Sequence, residues 1–185
     1  MPDKIQLEIV TPRGRALSVS ADEVTAPSVE GEFGVLPGHL PLLAALRTGL
    51  VTYRQGSDTK KCAVGPGFVE AGPDKVSIIT DEFTERDQID PVLVRKELGE
   101  VQARMAAEIA KPQEGGGATD PELQGLIRRE NWLAAQLELY GDPPPATMRP
   151  FETWGPPAPP DEADVPLPDG SEPTGQSSQP VPPKK

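Results

Sequence analysis

The chain has 185 residues and carries 29 Asp and Glu against 18 Lys and Arg, a net charge of −11. Such a surface repels a phosphate backbone, which excludes nucleic acid as a natural partner. The single cysteine, Cys62, excludes an internal disulfide, and a single histidine, His39, leaves no second imidazole for a zinc-type ligand set.

The opening Met1-Pro2-Asp3-Lys4 has no basic stretch followed by an apolar core, so no signal peptide is expected. No apolar run approaches the roughly 20 residues that a membrane helix needs. The nearest, Leu40 to Leu46, is seven residues long and contains Pro41. The chain is therefore expected to be soluble.

Residues 1–88 read as β structure. Ile5, Leu7 and Ile9 alternate with Lys4, Gln6 and Glu8, the two-residue period of a half-buried strand. Leu17, Val19 and Ala21 repeat it, followed by Val24 and Ala26. Further short runs are Leu50 to Arg54, Cys62 to Val64, Gly67 to Glu70 and Val76 to Ile79. Turn signals separate them: Thr11-Pro12-Arg13-Gly14, Gly56-Ser57-Asp58, Gly65-Pro66-Gly67 and Gly72-Pro73-Asp74. Closely spaced strands without a long intervening helix predict a small β-sandwich.

Within this region, residues 30–46 read E-G-E-F-G-V-L-P-G-H-L-P-L-L-A-A-L. The glycines and prolines predict turns at Glu30-Gly31-Glu32 and at Pro37-Gly38-His39. Phe33 and Val35 are expected to plug the core, and Leu40 to Leu46 to cross the sandwich interior. This is a specialised loop at the rim of the sandwich.

Residues 89–141 change period. Asp90-Pro91 is a helix start, because Asp accepts from orphan N–H groups and Pro suits the first helical position. Val94, Leu98, Val101, Met105 and Ile109 then form one apolar stripe. Lys111-Pro112 stops the helix, and Gly115-Gly116-Gly117 links to a second start at Asp120-Pro121. Leu123, Leu126, Ile127, Leu133, Ala134 and Leu137 form the second stripe, with Gly141 at the C-terminal cap. Two such helices, each roughly 30 Å long, predict an antiparallel hairpin.

Residues 142–185 hold 14 of the 24 prolines, with seven acidic and three basic side chains. Such a segment cannot bury enough apolar surface to offset ordering entropy, so a disordered, acidic, Pro-rich tail is expected. Nothing in the sequence announces catalysis. There is no G-x-x-x-x-G-K-[ST] phosphate loop, and Cys62 sits in an alternating apolar run that reads as a buried strand. No catalytic, cofactor or metal residue is predicted.

The loop of residues 30–46, followed by R-T-G-L-V, resembles the signature loop of the epsilon subunit of bacterial F-type ATP synthase (the delta subunit of mitochondria). Gly65-Pro66-Gly67-Phe68-Val69-Glu70 through Val76-Ser77-Ile78-Ile79-Thr80-Asp81 resembles the next hairpin of that family, and the Asp-started helices match its helical hairpin. The resemblance covers residues 1 to about 140.

It implies a flattened β-sandwich, a C-terminal helical hairpin and a non-catalytic role in the rotor. The sandwich would bind the gamma subunit and the ring of c subunits, coupling proton-driven rotation to ATP synthesis. By position, the interface residues would be Glu30, Gly31, Glu32 and Phe33, with His39 near the rotor joint. An extended hairpin would inhibit ATP hydrolysis by reaching the alpha/beta catalytic ring, with Arg128 and Arg129 as contacts. The chain would sit peripherally on the cytoplasmic face of the bacterial membrane, held there only through the complex.

Some family members bind ATP at the start of the hairpin through a Leu or Ile, then Asp, two variable residues, Arg and Ala. Here Ile89 and Asp90 match, but Leu93 and Val94 occupy the Arg and Ala positions, and Arg95 falls two residues late. No nucleotide is therefore expected by this route. On residues alone, a ligand-binding β-sandwich adaptor with a recruiting Pro-rich tail is the alternative, and a hydrolase with an unrecognised site is a third.

Overall fold

The computed structural model describes residues 4–110 and 120–143. Ten strands come first: β1 (Ile5–Thr11), β2 (Gly14–Ala21), β3 (Glu23–Ser28), β4 (Gly31–Val35), β5 (Leu42–Leu46), β6 (Gly49–Gln55), β7 (Asp58–Val64), β8 (Gly67–Ala71), β9 (Lys75–Thr80) and β10 (Phe83–Glu85). A 3-10 turn at Arg86–Gln88 leads to α1 (Pro91–Ile109) and α2 (Pro121–Tyr140).

The strands follow the order β10-β7-β6-β3-β5-β8-β9-β1-β2, and β4 adds to β3. The sheet creases between β3 and β5, which share one residue pair, Ser28 with Leu46. One layer thus holds β10, β7, β6, β3 and β4, and the other β5, β8, β9, β1 and β2. The layers close on each other, with β2 facing β6 and β1 facing β3. Ile5, Leu7 and Ile9 are fully buried, as their spacing predicts, and meet Val24, Val35, Val51, Val69, Val76 and Ile78 in one core.

One expectation fails here. Leu40 to Leu46 does not cross the interior: Leu42–Leu46 is a strand paired antiparallel with β8. Its two-residue period turns Leu42, Ala44 and Leu46 inward and leaves Leu43 73% exposed. Leu40, before the strand, is 80% exposed.

The helices start where the sequence places them. Asp90 Oδ1 accepts from the Val92 and Leu93 amides at 3.0 and 3.2 Å, and Asp120 Oδ1 from the Glu122 amide at 2.9 Å. Gly141, at φ +103°, closes α2 with its amide on the Leu137 carbonyl at 3.1 Å. Val94, Leu98, Val101 and Met105 are buried as predicted, whereas Ile109, in the last turn of α1, is 64% exposed.

α2 departs further from its predicted stripe. Leu133 and Leu137 are buried, but so are Trp132, Ala135 and Leu139, which lie roughly 100–160° round the helix from Leu133. The cause is position: α2 packs on α1 with one face and on β6, β7 and the 3-10 turn with another. Ala63 and Leu50, on the outer face of β7 and β6, join the helices in a second apolar cluster. The expectations for Lys111-Pro112, the triple-glycine link and the tail beyond Pro143 lie outside the described residues.

Three glycines give a stability test. A Cβ on Gly67 would lie 2.0 Å from the Ile79 carbonyl oxygen, whereas one on Gly99 or Gly125 would meet nothing within 4 Å. Gly67→Ala should therefore cost on the order of 3 kcal/mol, since backbone must move. Gly99→Ala and Gly125→Ala should each stabilise by about 0.5–1 kcal/mol. Urea unfolding of the three variants checks both signs, and a neutral Gly67→Ala would contradict the close approach of β8 and β9.

Candidate functional site

The predicted rim residues divide between two turns. At the first, Ser28 is buried and its hydroxyl donates to the Gly31 carbonyl at 2.7 Å while accepting from the Glu30 amide at 3.1 Å. The Val29 amide donates to the Ala45 carbonyl at 3.0 Å, tying the turn to β5. Gly31 takes φ +127°, which a side chain would strain. Glu30, Gly31 and Glu32 are exposed, while Phe33 is half-buried against the core.

His39 lies elsewhere. β4 carries the chain roughly 13–16 Å from Gly31 to a second turn, where the Gly38 amide donates to the Pro73 carbonyl at 2.7 Å. The His39 amide donates to the Leu36 carbonyl at 3.0 Å, and His39 Nδ1 lies 2.6 Å from the Leu40 carbonyl oxygen. That contact requires the proton on Nδ1, so only Nε2 remains for another partner. Glu30 and His39 thus lie beyond opposite ends of β4, with Phe33 at the middle of the strand.

A third feature was not read from the sequence. Register aligns Ala45, Phe68, Ile79 and Val10 side by side across β5, β8, β9 and β1. They face outward, with Phe68 59% and Ile79 61% exposed, and Leu43 adds to the same face of β5. Beside them Glu8 pairs with Lys75 at 2.6 Å and Arg15 at 3.2 Å. Hydrogen bonds from Lys75, then Arg15, hold the Glu8 carboxyl below its ordinary range. A signal did exist: Phe68 and Val69 are neighbours in a strand, so both cannot point inward.

The predicted pair Arg128 and Arg129 also divides. Arg129 Nε and Nη2 reach Glu97 Oε1 on α1 at 2.7 and 2.6 Å, and its Nη1 lies 3.6 Å from Glu82 Oε1, between β9 and β10. Burial raises the Glu82 carboxyl above its ordinary range, against the pull of Arg129. Arg128 is exposed. Nearby, the Arg86 guanidinium stacks 5.7 Å from the Tyr140 ring centre, and Arg95 forms an ion pair with Asp142. Arg95 is therefore engaged at the end of α2, and Leu93, 63% exposed, offers no cation at the start of α1.

Cys62 is 1% exposed, and desolvation pushes its thiol up to about 12, so it is no nucleophile at neutral pH. Among the described residues no three His, Cys, Asp or Glu side chains gather as a metal site. No described helix is long and apolar enough to cross a membrane.

Known proteins are similar to this chain. Residues 4–86 match the family described as ATP synthase, Delta/Epsilon chain, beta-sandwich domain. ATP synthase epsilon chain 2 of Syntrophotalea carbinolica is 43% identical over 105 residues, 57% of this chain and 76% of the relative. The ATP synthase epsilon chain of Syntrophobacter fumaroxidans is 41% identical over 106 residues, 57% of this chain and 79% of the relative. Among solved structures, a chain of the Euglena gracilis mitochondrial ATP synthase (OSCP, F1 and c-ring) shares the fold. Its TM-score is 0.55 at 23% identity, over 76% of this chain and 79% of that one. With its sandwich, its hairpin and this degree of identity, the chain belongs to the ATP synthase delta/epsilon family, as an epsilon chain.

Proposed function

We propose that the chain is a non-catalytic subunit of the central stalk of an F-type ATP synthase. Its sandwich, residues 1–88, joins the gamma subunit to the c-ring so that the three turn together, coupling proton-driven rotation to ATP synthesis. The hairpin, residues 89–141, is the regulatory part. Docked as here, it leaves the alpha/beta ring alone, and extended it would inhibit ATP hydrolysis. The chain works at the cytoplasmic face of the bacterial membrane, attached through its partners.

The observation that carries this reading is the row of Ala45, Phe68, Ile79 and Val10, with Leu43 beside it. An open apolar face on a chain of net charge −11 marks a protein-docking surface. Covering Phe68 and Ile79 with an apolar partner is worth roughly 2–4 kcal/mol before ordering costs. We assign this row to gamma, and the Glu30 turn with the first half of β4, Gly31 to Phe33, to the c-ring. The adaptor alternative is not favoured, because the docking row lies on the sandwich itself and membership of the epsilon-chain family supports a place in the rotor.

Two experiments follow. Phe68→Glu and Ile79→Glu in the full chain should leave thermal unfolding within a few degrees, about 2–4 °C, since both side chains are mostly in water. Each should weaken capture of purified gamma by about tenfold or more. Unchanged capture would remove the row from the interface.

The rim turn is tested by assembly with the c-ring. Gly31→Val and Gly38→Val put a β-branched residue at φ +127° and +85°, a strain on the order of 1–3 kcal/mol. Gly31→Val should weaken assembly more than Gly38→Val, which sits at the other end of β4. Glu32→Gln should leave the fold intact, and a folded Glu32→Gln chain that assembles unchanged would rule out an interface role for that carboxylate.

A further inference from the structure

The seam between α1 and α2 contains one residue that does not suit it. Glu130 stands at helical spacing between Leu126 and Ile127 on one side and Leu133 and Leu137 on the other, and is only 4% exposed. Its Oε1 accepts from Gln102 Nε2 on α1 at 3.1 Å, and its Oε2 has no hydrogen-bond partner. The adjacent cation does not help: Arg129 turns to Glu97 and Glu82. Among the described residues no ion pair includes Glu130.

A buried carboxylate with half its acceptor capacity unmet is a cost of the paired state only. When the helices part, water satisfies both oxygens. Gly99 and Gly125 act in the same direction, because each weakens its helix where a Cβ would meet nothing. Arg129 opposes them from the next position in the chain.

We propose that Glu130 is a release element, which sets the α1–α2 pairing close to its opening point while the sandwich stays folded. This goes beyond the stalk role and does not need it, since helix parting is a property of the chain alone. A polar pair in a helix seam can instead act as a register key, in which case Gln102 and Glu130 would hold the helices together.

Hydrogen exchange of the full 185-residue chain at neutral pH separates the two. Glu130→Gln keeps the shape and the Gln102 contact but leaves an unmet amide NH2 in place of the orphan oxygen, and Glu130→Met removes the polar atoms altogether. The release element predicts slowing of about tenfold or more across α1 and α2 in Glu130→Met, and far less change in Glu130→Gln, where an unmet polar group remains. Strand peptides should not change in either variant. Exchange at the original rate or faster in Glu130→Met overturns the proposal.

In the assembled enzyme, under the function proposed above, slower opening should also weaken inhibition of ATP hydrolysis. Slowed exchange with unchanged hydrolysis would count against that function while leaving the role of Glu130 standing.

Discussion

Everything in the sandwich depends on how β3 shares its edge. One side of the strand pairs with β4 from Val24 to Ser28. The other side gives Glu23, Val24 and Thr25 to β6, and then Ser28 to β5. Pro27 stands at the change. It has no N–H to offer, its carbonyl takes the Arg47 amide at 3.1 Å, and its ring lies so close to Gly49 that a Cβ there would sit 3.1 Å from Pro27 Cβ. One sheet thereby folds into two layers. Ser28, next in the chain, anchors the rim turn, so the crease of the fold and the proposed ring contact are set by the same few residues.

The crease leaves the sandwich with two unlike outer faces. That of β6 and β7 offers Leu50 and Ala63, and α2 covers it with Trp132, Ala135 and Leu139 among the helix residues. That of β5, β8, β9 and β1 offers Phe68 and Ile79, and nothing in this chain's described residues covers it. The difference suits a subunit that carries its regulator on one side and its rotor partner on the other. Apolar contact is also the less salt-sensitive of the two proposed grips, because the carboxylates of the rim turn are screened within about 8–10 Å.

Period and punctuation made much of this legible. Ile5, Leu7 and Ile9 announced a strand, Asp90-Pro91 and Asp120-Pro121 announced helices, and the rim glycines announced turns that do take positive φ. The failures share a cause. A stripe shows that a residue is apolar and periodic, but not how many neighbours surround its element. Leu40 to Leu46 looked interior because it is rich in leucine, yet Leu43 faces the same open surface as Phe68. α2 showed one stripe and buries two faces. His39 and Glu30 belong to the two turns that the sequence predicts, and β4 separates them. Glu130 could have been noticed, since a lone carboxylate at the spacing of a predicted apolar stripe is itself a signal. Its orphan oxygen could not, because that depends on the facing Gln102, 28 positions earlier in the chain, reaching Oε1 alone.

Under the function proposed above, the layering also sets the order in which the hairpin would open. Arg129 and Glu82 are each more than a third exposed, so solvent screens their pairing and leaves it worth at most about 1 kcal/mol. The seat of α2 on the sheet therefore rests on Trp132, Ala135 and Leu139. A buried side chain the size of Leu139 contributes roughly 1.5–3 kcal/mol, and Ala135 less. α1 is the outer helix and touches the sheet far less than α2 does. The unmet carboxylate of Glu130 lies in the α1–α2 seam, not in the seat beneath α2. Weakness is thus concentrated one layer out from the sandwich. Opening would begin with α1 leaving α2, which would expose Leu133 and Leu137, release Arg129 from Glu97, and only then make it worthwhile for α2 to exchange its seat for another partner.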